Sequence, residues 1–115
     1  MKLGEFVEKI EAWLPTTVAE SWDNVGLLLG DYEQELKKVV VALDVDTETI
    51  RKAVALKADL ILAHHPLIFT PIKSLTSKSL LWEKINSLLQ HKIAVYAAHT
   101  NLDKAKDGVN QRLAE

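Results

Sequence analysis

The apolar positions of the chain alternate between two periods. The opening GEFVEKIEAWLP spaces Phe6, Ile10, Trp13 and Leu14 as a helix does, with acids and lysines between them. Pro15 stops that helix. A polar turn, ESWDN, then leads into VGLLLG, a short apolar strand closed by Gly30. The segment DYEQELKK crosses over to VVVALDV, a run rich in β-branched residues that reads as a strand over 39–45. Asp46 or Thr47 caps the next helix, TETIRKAVALKA, and DLILAHH is the strand after it. A linker, TPIKSLTSKS, precedes the helix LLWEKINSLLQHK. The strand IAVYAAH follows, and DKAKDGVNQRLAE begins a last helix.

Strands of about five residues thus alternate with helices of about twelve, the signature of βα units on a parallel sheet. The fold class is α/β: a mixed, largely parallel sheet with flanking helices, in a single domain over residues 1–115. The runs at 39–44, 60–64 and 93–98 are almost unbroken apolar stretches, which predicts strands covered on both faces.

Composition narrows the function classes. The chain has 14 basic and 16 acidic residues, a net charge of −2, so it carries no strong nucleic-acid signal. Cysteine is absent, which removes disulfides and thiolate metal sites. There is no apolar run of about 18 residues, and MKLGEFVEKIEAW is too charged for a signal peptide. The reading is a soluble, cytoplasmic chain without a membrane partner. GxGxxG, P-loop and GxSxG patterns are all missing.

Three apolar strands end in a titratable residue: VVVALD at Asp44, LILAHH at His64 and His65, and AVYAAH at His99. Parallel strands joined by right-handed crossovers put all their C-terminal ends at one edge, where ligands of open α/β sheets bind. HTNLD adds Asn101 and Asp103 just beyond. Histidine and carboxylate without thiolate is a ligand set for Zn, Fe, Mn, Co or Ni. Consecutive strand residues face opposite ways, so His64 and His65 suit two ions about 3.5–4 Å apart, with Asp103 bridging. Such a pair polarises a substrate oxygen and supplies a nucleophile near neutral pH.

Each of these residues has a plainer alternative. Histidines at strand ends are often simply packed. Asp44 is read as the cap of the following helix, and His91 as a favourable charge at a helix end. Asp23 and Asn24 belong either to the cleft or to the turn before a strand. Lys73 and Lys78, with four hydroxyl side chains around them, either close over a phosphate-bearing ligand or form a solvated loop in which Ser77 or Ser79 caps the next helix. Trp13 and Trp82 are read as core or interface.

SWDNVGLLLG, LILAHHPLIF and AVYAAHTNLD, in this order, resemble the Ngg-one-interacting-factor-three-like family. It is also called the dinuclear metal centre, hexameric protein family, and many members carry the label GTP cyclohydrolase 1 type 2 homologue. The resemblance runs from about residue 4 to the end. It implies one half of a two-domain fold, assembled as a homohexamer, with a pair of divalent ions inside each complete protomer. Matched to the motifs, His64, His65 and Asp103 fall on metal ligands, and His99 on a position beside them, supporting or catalytic. Asp23, Asn24, Lys73 and Asn101 are the candidate substrate-binding residues. The family completes its site with a closely spaced histidine and glutamate near the end of a longer chain, and no such segment occurs here. This chain by itself is therefore expected to bind metal weakly, to hold one ion, or to hold none. The implied function is a metal-dependent hydrolase acting on a nucleotide-like or phosphoester substrate; the alternative is a non-catalytic metal-binding scaffold or protein-interaction module.

Overall fold

The computed structural model describes residues 1–13, 24–68 and 72–98. Within them the elements run α1 (Leu3–Trp13), β1 (Gly26–Leu29), β2 (Val39–Ala42), α2 (Thr47–Ala55), β3 (Leu60–Ala63), α3 (Leu80–Gln90) and β4 (Ala94–Ala97). The strands form one sheet in the order β1-β4-β3-β2. β2, β3 and β4 are parallel, and β1 closes the far edge antiparallel to β4. The sheet is therefore mixed and largely parallel, as the pattern predicts. The last helix expected from the sequence, 103–115, lies outside the described residues.

Each crossover moves one place along the sheet and returns its helix to the same face. Ile50 and Ala53 of α2 and Leu88 of α3 pack on Ile61, Ala63 and Val95. On the other face, Leu3 and Val7 of α1 pack on Leu60, Ala94 and Tyr96. β4 is buried along its whole length. Tyr96 sits under α1, and its hydroxyl donates to Glu11 at 3.4 Å; burial and the Glu11 charge both hold the phenol well above its ordinary value.

The edge strand departs from expectation. Val40 and Ala42 pack toward α2 and α3, but Val41 is 76% exposed and Leu43 61% exposed. One helix cannot cover a face that two helices cover opposite. α1 packs with β1, β4 and β3, leaving the outer aliphatics of β2 in solvent. A hydrophobic run alone does not report which of its faces meets a helix. Trp13 is likewise exposed rather than core.

Local chemistry sets the helix ends. Asp46 is the N-cap of α2: its backbone is extended, and its carboxylate accepts from the Thr49 amide at 2.8 Å. That bond is the main reason its carboxyl lies below the usual range. Asp44, expected in this role, is two residues too early to reach it. Ser79 caps α3 by accepting from the Trp82 amide at 3.1 Å. His91 ends α3, with its Nδ1 2.9 Å from the Ser87 carbonyl.

Both α2 and α3 close with the same pair of bonds. Lys57 and Ala58 donate to Val54 and Ala53, and Lys92 and Ile93 donate to Leu89 and Leu88. Lys57 and Lys92 hold the left-handed position at φ 57° and 54°, where glycine is the usual occupant. Replacing Lys57 by Gly removes left-handed strain and is expected to stabilise the fold by about 0.5–1 kcal/mol after the flexibility of glycine is counted, measurable by urea titration. Gly30 has no such freedom. Its φ is +140°, and an added Cβ meets the Cβ of Ala94 at 2.6 Å. Gly30→Ala should therefore destabilise by about 2 kcal/mol, a fall in Tm of roughly 8–12 °C by calorimetry.

Candidate metal centre

The parallel ladder carries past the end of β3. The His64 amide donates to the Ala42 carbonyl at 3.2 Å and the His65 amide to Leu43 at 2.9 Å, while Ala98 donates to Ala63 at 2.9 Å. The two histidines thus leave the sheet with their backbone still tied to a neighbouring strand. Pro66 follows and cannot extend the ladder.

From this shared base the two rings lie side by side and engage different neighbours. His64 places Nδ1 2.8 Å from the Ala98 carbonyl, at the end of β4. His65 places Nδ1 2.6 Å from Oδ1 of Asp44, beyond the end of β2. The ring centroids are 5.1 Å apart and tilted by 46°. A carbonyl oxygen only accepts, so Nδ1 of His64 carries the hydrogen. A carboxylate imposes the same choice on His65. In the neutral rings, both lone pairs then lie on Nε2. Metal-binding histidines show this arrangement, the outer nitrogen donating to a carbonyl or carboxylate.

Beside His65 opens a cleft of about 310 Å³, lined by Asp44, Val45, Asp46, His65, Pro66, Leu67 and Lys84. Lys84 comes from α3, and its charge adds to the lowering of the Asp46 carboxyl. Among the described lining residues Lys84 is the cation; Lys73 lies instead in the exposed stretch before α3. Asn24 donates through Nδ2 to the Ile68 carbonyl at 2.6 Å, which fastens the turn before β1 to the segment that follows the histidines.

The donors present suit a divalent ion but do not complete its shell. Among the described residues no group of three or more His, Asp or Glu side chains converges to hold a metal. Asp23, His99, Asn101 and Asp103 lie outside the described residues. Asp44, weighed for this edge from the sequence and then read as a helix cap, stands instead against His65. The available signal was its position at a strand end in line with His65, which the capping interpretation displaced.

Comparison with known proteins adds a family to this geometry. The sequence pattern of Duf34/NIF3 (NGG1p interacting factor 3) matches residues 1–115. A protein of Clostridium perfringens named GTP cyclohydrolase 1 type 2 homolog is 44% identical over all of this chain, which spans 44% of its length. The crystal structure of Staphylococcus aureus protein SA1388 superposes with a TM-score of 0.91 at 41% identity, covering 99% of this chain and 32% of that one. A Bacillus cereus protein related to NIF3 gives 0.90 at 38% identity, covering 99% and 31%. The chain therefore spans less than half the length of these relatives. Among the described residues no helix is long and apolar enough to cross a membrane.

The tie from Asn24 is the accessible test of how this region is held. Asn24→Ala leaves the partly buried Ile68 carbonyl without that donor and is expected to destabilise the fold by about 1–2 kcal/mol, read from the urea midpoint.

Proposed function

The chain belongs to the Duf34/NIF3 family, and from that premise we propose that it carries part of the metal centre of a hydrolase acting on a nucleotide-like or phosphoester substrate. One observation carries the reading. Two adjacent imidazoles have their Nδ1 atoms engaged by a carbonyl and a carboxylate, which commits Nε2 of each neutral ring to act as a donor.

His64 and His65 would hold divalent ions of the Zn, Fe, Mn, Co or Ni class, with Asp103 as a further ligand. When bound, such ions supply Lewis-acid polarisation and a nucleophile at neutral pH. The chain's own residues have the remaining tasks. Ala98 holds His64 through its carbonyl and is followed at once in sequence by His99, which is assigned proton transfer. Asp23, Asn24 and Asn101 are assigned to substrate binding, and Lys73 to a phosphate group. The complete site draws on the longer chains of the relatives.

A second reading, a non-catalytic metal-binding scaffold that self-associates, is favoured by the bare aliphatics Val41 on β2 and Leu43 just past it. Both readings require metal, and only the first requires turnover.

The test is metal content by mass spectrometry on protein purified without chelator, for this chain and for the His64→Ala/His65→Ala double variant. The same comparison is made on a family-length chain, where the wild type is expected to carry divalent metal and the double variant at least about tenfold less. Hydrolysis of nucleotides or phosphoesters by a family-length chain, abolished by chelator and restored by added ion, selects the enzyme over the scaffold. Equal metal in the wild type and the double variant of a family-length chain would sink both readings.

A further inference from the structure

The carboxylate of Asp44 is not explained by helix capping, because Asp46 performs that task. Nor does stability explain it. The Asp44 and His65 side chains are 56% and 45% exposed, and pairs so exposed to water contribute little to folding. Yet the contact is short, 2.6 Å, and the backbone of His65 is fixed independently by its bond to Leu43. A ring held by its backbone at one end and by a carboxylate at Nδ1 has little rotational freedom left.

The two histidines are also held by unlike acceptors. His64 meets a backbone carbonyl, a neutral dipole that is the same whatever side chain residue 98 carries. His65 meets a formal negative charge. A carboxylate acceptor draws the Nδ1 hydrogen and enriches the opposite nitrogen, so it makes the stronger donor of the two.

We propose that Asp44 is a positioning residue that fixes His65 in the Nδ1–H tautomer and makes its Nε2 the stronger metal donor of the histidine pair. The proposal rests on the metal reading above for its consequence, but the tautomer is observable without metal.

The experiment uses the metal-free 115-residue chain and long-range ¹⁵N–¹H correlation spectra at about pH 8.5, where histidines are neutral. His65 of the wild type is expected to carry its hydrogen on Nδ1. In Asp44→Ala the population moves toward Nε2–H, and zinc affinity by titration calorimetry falls about 10–100-fold. Asp44→Asn keeps an acceptor oxygen without the charge, so it retains Nδ1–H while losing part of the affinity. This milder variant also serves if Asp44→Ala fails to fold. Asp46→Ala, a carboxylate of the same cleft, is expected to lower stability and leave the His65 tautomer unchanged.

A wild-type His65 protonated at Nε2, or a tautomer indifferent to Asp44→Ala, overturns the proposal. So does an unchanged zinc affinity in both Asp44 variants. A tautomer that switches as expected, with no zinc bound by a family-length chain carrying the same residues, upholds the positioning role and sinks the metal reading, so the two failures are distinct.

Discussion

The candidate site depends on the register of β3 between its two parallel neighbours. Ala63 stands opposite Ala42 on one side and Ala97 on the other. Three small residues therefore finish three strands in line, and the residues that follow them emerge together. Slipping β3 by one residue would turn Ile61 and Ala63 out of the α2 and α3 layer and put Leu60 and Leu62 in their place. It would also carry His64 and His65 away from their acceptors past β4 and β2. The two clusters of buried side chains, one on each face, exclude that slip. Core packing thus fixes the geometry of the histidines, although neither histidine belongs to the core.

The same register explains why two adjacent imidazoles are useful here. The ladder continues on both sides of the strand end, and past it His64 meets an acceptor beyond β4 while His65 meets one beyond β2. Each finds an acceptor at the end of its neighbour. Neither acceptor is adjacent in sequence: Ala98 is 34 positions from His64, and Asp44 is 21 from His65. The parallel sheet brings them into reach without any local motif, and the two crossovers keep α2 and α3 on one face, from which Lys84 of α3 lines the cleft beside His65.

The helices and strands were readable because their periods are long enough to count. The alternating elements, the mixed and largely parallel sheet, and the cap at Ser79 all follow from pattern. Helix ends were less readable. Lys57 and Lys92 occupy left-handed positions that glycine would have advertised, so the periodicity ran α2 on to residue 58 where the structure ends it at Ala55. The exposure of β2 was hidden for another reason. An aliphatic run looks the same whether both of its faces are covered or only one. The cover depends on where α1 crosses the sheet, which is a tertiary fact.

Asp44 and Asp46 show how two similar residues in D-V-D acquire different work. A capping side chain must sit immediately before the first helical residue, with extended backbone; only Asp46 meets that, at φ −95° and ψ 174°. Asp44 is then left past the end of β2, where its carboxylate meets Nδ1 of His65. Sequence reasoning treats both as helix-start signals because propensity counts residues near a boundary without resolving two positions. Asp44 and Asp46 stand two positions apart: the first follows the end of β2, and the second stands at the start of α2. That small displacement divides a carboxylate that holds a helix from one that holds a histidine.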